Sequence, residues 1–316
     1  MEPQSAGPLQ AAQVPNTYQR VISTPRGQYL ILVSWPLGWN PDGTTDDPNI
    51  GDIPVLYMVD GNAYFFTATD VVRRLQFMFG KKAIVIAVGY PVTDSVYAPQ
   101  RRGPDLTPPS KRERVEPPTG KDGKPQAHVS FGGADEFHGV LEDIIMPVVE
   151  QEILPSIPLK TMPRALFGHS FGGLFTLFSL FTRPGLFDTY IAASPSIWWN
   201  GCSIVEEQER AFLEGGNGSG EGEPAPSKPR LFMMYGSYEQ DVVRKPYESE
   251  EEFARRKKHA TEFRMKYNAV EMAGRLDTSD KLEELWLQEY EGEDHGSAAV
   301  CALQSGILRL LGESAS

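Results

Sequence analysis

Cysteine is nearly absent from this chain: 316 residues contain two, Cys202 and Cys301. Neither belongs to a CxxC pair or stands near a histidine at metal-ligand spacing, so neither a zinc site nor a disulfide framework is expected. Positive charge is also short. Thirty lysines and arginines stand against 42 aspartates and glutamates, a formal net charge of −12, which denies the chain the basic footprint that nucleic acid or an anionic membrane would need. Long apolar runs are missing too. The richest stretch, 165–181, is interrupted by His169, Ser170 and three glycines, and it cannot span a bilayer. The first twenty residues have no basic n-region and no apolar h-region of the secretory type. Together these absences lead to the expectation of a soluble, cytoplasmic protein with small-molecule partners, no nucleic acid and no membrane.

What is present is the composition of an ordinary globular chain, 40% apolar and 23% charged. One domain over 18–312 is expected after a flexible N-terminus at 1–17, because single cores stop growing only above roughly 250–300 residues. Two β-rich runs at 19–24 and 28–36, split by Pro25-Arg26-Gly27, read as an antiparallel hairpin. Near-continuous apolar runs at 53–61 and 83–91 suit strands buried on both faces. From there strands and helices alternate: helix 133–153, strand to Ser170, helix 171–182, strand 190–196, helix near 203–214, strand 231–237, a charged helix at 248–274, strand 282–290 and helix 297–311. Such βαβ repetition implies an α/β fold, a mainly parallel doubly wound sheet. Two insertions interrupt it, a Pro-rich and charged one near 92–128 and a Gly/Ser-rich linker at 215–229.

Gly168-His169-Ser170-Phe171-Gly172 falls between a strand and a helix, the context that lifts the G-x-S-x-G pattern above chance. A serine on so sharp a turn needs neighbours without Cβ atoms, and the following helix aims free N–H groups at it. Serine becomes a nucleophile only when a base takes its proton. Of five histidines, His128 and His138 precede the serine, His169 is its neighbour, and His259 lies on a solvated charged helix. His295 remains, between the last strand and the last helix, where a loop would carry it over the strand ends. The acid should follow strand 231–237; Glu239 is favoured and Asp241 is the alternative. For the oxyanion hole, Phe171 N–H is one donor, and Asn62 with Gly61 supplies the other from the turn after MVDGN.

The runs LYMVDGNAYF, IAVGYP followed by RRGPDLTP, GHSFGG, SPSIWWN, YGSYEQ and DHGS together resemble the siderophore-esterase branch of the esterase D-like α/β-hydrolases. Enterobactin esterases and fungal triacetylfusarinine C esterases belong to that branch, and the resemblance covers about 18–312. It implies an α/β-hydrolase fold and hydrolysis of ester bonds in a siderophore, with iron released inside the cell. By the same resemblance Ser170 and His295 match the nucleophile and base, Arg101 and Arg102 an arginine-bearing segment near the substrate, and Trp198 and Trp199 an aromatic pair. Some members work with a Ser/His dyad, so the identity of the acid stays open. Tyr90, at a strand end, is a further candidate for the substrate site. No cofactor is expected, because iron would enter with the substrate. The acidic balance favours a neutral hydroxamate of the fusarinine or triacetylfusarinine type over a polyanionic catecholate. A general carboxylesterase or thioesterase of the esterase D type is the alternative, since fold and triad do not fix a substrate.

Overall fold

The computed structural model describes residues 12–111, 130–215 and 227–312. Much of the expected flexible N-terminus, part of the 92–128 insertion and most of the 215–229 linker lie outside those residues. Eight strands form one sheet in the order β1-β2-β4-β3-β5-β6-β7-β8. The hairpin β1 (Thr17–Thr24) and β2 (Gly27–Ser34) is antiparallel, and β2 runs antiparallel to β4 (Ile84–Gly89). The other neighbours are parallel: β3 (Val55–Met58), β4, β5 (Arg164–His169), β6 (Thr189–Ala193), β7 (Arg230–Gly236) and β8 (Glu284–Tyr290). This is the α/β-hydrolase arrangement.

Alternation along each strand builds two cores. Val55 and Tyr57 of β3 join one cluster, and Leu56 and Met58 join the other, because successive strand side chains point to opposite faces. Helices α1 (Gly61–Phe79) and α10 (His295–Leu310) close the second cluster through residues such as Phe65, Leu75, Leu303 and Ile307. On the first face lie α2 (Pro99–Leu106), α3 (Ala134–Val140), which continues through a π-type turn into α4 (Met146–Val148), and α5 (Phe171–Thr182). The short helices α6 (Trp199–Ile204) and α7 (Arg210–Glu214) follow β6.

The charged segment expected as one helix over 248–274 is two, α8 (Glu250–Phe263) and α9 (Met265–Asp277). The break is at Arg264, whose φ of 46° is left-handed, and the Asn268 side chain donates to the Phe263 carbonyl (2.9 Å) that the break releases. At the other end of β8 the expected loop is shorter than the sequence implied. His295 is the first residue of α10, with the Asp294 carboxylate accepting from the N–H groups of Gly296 and Ser297 at its N-cap.

Candidate active site

Three residues with left-handed φ gather at the carboxyl edge of the central strands: Asp60 (52°) after β3, Ser170 (61°) after β5 and Ser194 (40°) after β6. Each costs about 1–3 kcal/mol, and such strain collects where structure serves chemistry. Ser170 is the tip of the turn into α5, with ψ −117°. A Cβ on Gly168 would stand 2.1 Å from the Gly172 carbonyl oxygen. One on Gly172 would stand 2.9 Å from Val59 Cγ2, so strand and helix can approach closely only with glycine at both places. Phe171, first in α5, carries one of the N–H groups that a helix start leaves without an intrahelical acceptor.

Glu239 and His295 meet at the ends of β7 and β8. His295 Nδ1–H donates to Glu239 Oε2 at 2.7 Å. The other carboxylate oxygen accepts from Ser194 Oγ (2.5 Å) and from the Gly236 N–H (2.8 Å). A carboxylate oxygen accepts, so Nδ1 is the donor in this bond and Nε2 is the ring nitrogen left for other partners. Asp241, the alternative acid, is instead exposed and 3.8 Å from Lys266 Nζ.

A second chain of bonds holds the His295 backbone. Buried His169 donates through Nε2 to the His295 carbonyl (2.8 Å), and its Nδ1 accepts from Tyr64 Oη (2.9 Å), which is bonded to Tyr97 Oη (2.5 Å). Burial, and then the neighbouring His295, push the His169 pKa well below its ordinary value. It is therefore a neutral strut.

Ser170, Glu239 and His295 line one cleft of about 310 Å³ with Ser196, Trp198, Tyr238, Lys245, Arg256, His259, Phe263 and Asp294. The Ser170 hydroxyl is paired with Ser196 Oγ at 3.3 Å, not with the imidazole. A serine hydroxyl is a rotor with staggered positions, and catalytic hydrogen bonds often tighten only with substrate bound.

Of the candidates for substrate contact, Trp198 lines this cleft; Arg101, Arg102, Tyr90 and Trp199 do not. Arg102 makes two bonds to the buried Asp60 carboxylate (2.9 and 2.8 Å) and lies over the Tyr97 and Phe171 rings. Burial pulls its pKa down, but the charge and hydrogen bonds of Asp60 outweigh that, and the net direction is up. Arg101 stacks on Tyr29 and Tyr90 and donates to the Gln28 carbonyl (3.3 Å), on the hairpin side. Tyr90 bonds the buried Asp105 (3.2 Å), and Trp199 is a core residue. The Asn62 side chain clamps both backbone groups of Tyr90 (2.8 and 2.9 Å), and a Cβ on Gly61 would press on β4. Their turn abuts the elbow through Val59 and Asp60, both near Gly172.

Sequence reasoning missed the wall opposite. Trp198 stacks on Phe263 (3.9 Å between centroids, 6°), and Phe263 on His259 (5.4 Å, 14°). Lys245 is paired with Asp294 (2.5 Å) and Arg256 with Glu248 (2.5 Å). The signal available was the spacing of His259 and Phe263, four apart and so on one side of α8.

The "Putative esterase" family model matches residues 39–286. A siderophore enterobactin esterase of Emericella nidulans is 45% identical over 92% of this chain and 91% of its own length. A siderophore triacetylfusarinine C esterase of Aspergillus fumigatus is 39% identical over 93% and 92%. The solved structure of the siderophore hydrolase EstA from Aspergillus nidulans superposes with a TM-score of 0.86 at 41% identity, covering 98% of both chains.

Proposed function

From the premise that the chain belongs to the esterase family, whose relatives at 39% identity and above are siderophore esterases, we propose that it is a serine esterase that hydrolyses siderophore esters and so releases iron inside the cell. The carrying observation is the Glu239–His295 bond of 2.7 Å opening into the cleft that Ser170 lines.

The steps follow from these positions. Ser170 Oγ turns from Ser196 to His295, gives its proton to Nε2 and attacks the ester carbonyl. Glu239 holds Nδ1–H and steadies the imidazolium. The Phe171 N–H, with a second donor from the Gly61-Asn62 turn, receives the oxyanion. His295 then protonates the leaving hydroxyl, and water repeats the sequence on the acyl-enzyme.

The charge balance of the cleft wall supports one substrate class. Both fixed cations there, Lys245 and Arg256, already hold carboxylates, and a balanced wall supports a neutral hydroxamate of the fusarinine or triacetylfusarinine type over a polyanionic catecholate. The stacked Trp198–Phe263–His259 rings offer apolar surface for one arm of such a ligand. The test is mass spectrometry of products from a panel of ferric and iron-free hydroxamate and catecholate siderophores, with wild type and Ser170→Ala side by side. Ester cleavage of the hydroxamates by wild type and none by the variant is expected. Cleavage of nitrophenyl esters with no siderophore turned over would assign a general carboxylesterase instead.

A further inference from the structure

The turn Ser194-Pro195-Ser196, directly after β6, places one hydroxyl on the acid and another on the nucleophile. Ser194 is fully buried, donates its N–H to the Met234 carbonyl (2.7 Å) and its Oγ–H to Glu239. Ser196, 1% exposed, donates its N–H to the Ser170 carbonyl (3.1 Å), and its Oγ is the partner of Ser170 Oγ. A Cβ on Gly173 would stand 3.0 Å from Pro195 Cα, so the turn is pressed against the start of α5. The backbone at Ser196 is therefore fixed to the backbone of the nucleophile, and what can move is the hydroxyl on its own χ1.

We propose that Ser196 is a further catalytic residue of the serine-esterase reaction set out above, its hydroxyl donating to Ser170 Oγ whenever that oxygen carries negative charge. This rests on the reading of Ser170 as the nucleophile. There are two such moments. In acylation the Ser170 proton passes to His295 Nε2 while an Oγ lone pair forms the bond to the carbonyl carbon, whose π pair moves onto oxygen. In deacylation His295 takes a proton from water as the water oxygen bonds the acyl carbon; the C–Oγ bond then breaks, its pair returns to Oγ, and His295 gives that oxygen the proton. Ser196 keeps its own proton throughout. Its hydrogen bond is weak to a neutral hydroxyl and strong to an alkoxide-like oxygen, so its effect falls on the barrier rather than on binding. Both side chains are hydroxymethyl rotors, which lets the contact follow the swing of Oγ toward His295.

The experiment measures kcat and KM for p-nitrophenyl acetate, and the rate at which a fluorophosphonate labels Ser170, in Ser196→Ala, Ser196→Cys and Ser196→Thr. Near-UV circular dichroism checks the fold of each. The cysteine variant fills the original volume with a poor donor, so it gives the answer if the alanine variant does not fold. Expected are a loss of about tenfold or more in kcat for Ala and Cys, similarly slowed labelling and KM within about twofold of wild type. The threonine variant, which keeps the hydroxyl, retains most of the activity. A natively folded Ala or Cys variant with kcat within about twofold of wild type overturns the proposal. So does a threonine variant that falls as far as alanine, because packing and not the donor would then matter. Ser170→Ala is measured beside them: its turnover would overturn the nucleophile itself, a failure distinct from that of Ser196.

Discussion

Glu239 and His295 are joined by one hydrogen bond and Ser170 shares their cleft, and each of the three makes its own demand. Glu239 is buried with both oxygens engaged, by His295 on one side and by Ser194 and Gly236 on the other. Replacing it with Gln keeps the volume but turns an acceptor into a group that can present N–H to Nδ1, which favours the wrong imidazole tautomer. Glu239→Gln is expected to lower kcat by about 10³–10⁴ with little change in KM. Asp241→Asn, at a carboxylate that faces Lys266, leaves kcat within about twofold of wild type. Steady-state kinetics on one nitrophenyl ester reads both. The sequence singled out Ser170 and His295 because glycine spacing and the order of strands and helices constrain them. It left Glu239 and Asp241 side by side, since only the turn at Ser237–Glu239 decides which carboxylate points inward. The hydroxyls of Ser194 and Ser196 had no signal of their own, for serine after a strand is common and its partner lies 26 or 45 residues away.

At the scale of elements, α2 shows why charged residues mislead. Arg101 and Arg102 read as ligands for a substrate, yet each is turned to the protein, one over the tyrosines of the hairpin side and one onto Asp60 after β3. Asp60 is 42 residues from Arg102 in sequence, and no local pattern announces such a pair. The α8 helix misleads in the opposite sense. Its charges suggest solvent, but His259 and Phe263 face the cleft, because the break at Arg264 and the packing of α9 fix which side turns inward. The α2 helix is also tied down by Asp105, buried and bonded to Tyr29 (2.8 Å), Tyr90 (3.2 Å) and Arg26 (2.9 Å). Asp105→Ala strands two buried phenols and Arg26, and about 3 kcal/mol of stability should be lost. Urea unfolding checks this; a loss under about 1 kcal/mol would mean that α2 is held by other contacts.

Over the whole molecule, the alternation of strands and helices made the sheet legible in advance, since a buried parallel strand and an amphipathic helix carry different periods. The histidines then couple this fold to pH. His138 is fully buried, bonded through Nε2 to Ser179 Oγ (2.9 Å). Burial, and then the charge of Arg183, lower its pKa from 6.5 to about 4, against the opposing pull of Asp135. Between those values the unfolded chain binds the proton that the folded chain refuses, so stability falls as pH falls. His138 alone removes about 2 kcal/mol between about pH 7 and about pH 5; His169, shifted the same way, adds to the loss. Unfolding free energies at the two pH values should show a smaller decrease for His138→Gln than for wild type, and equal decreases would rule His138 out. The central claim, that one serine at the edge of this sheet is the acyl-carrying nucleophile and one histidine its base, has a direct measurement. Protein treated with a fluorophosphonate is digested and its peptides are mapped by mass spectrometry. The adduct should sit on Ser170 in wild type and be lost in His295→Ala with the fold intact. An adduct on another residue, or undiminished labelling without the imidazole, would contradict the account.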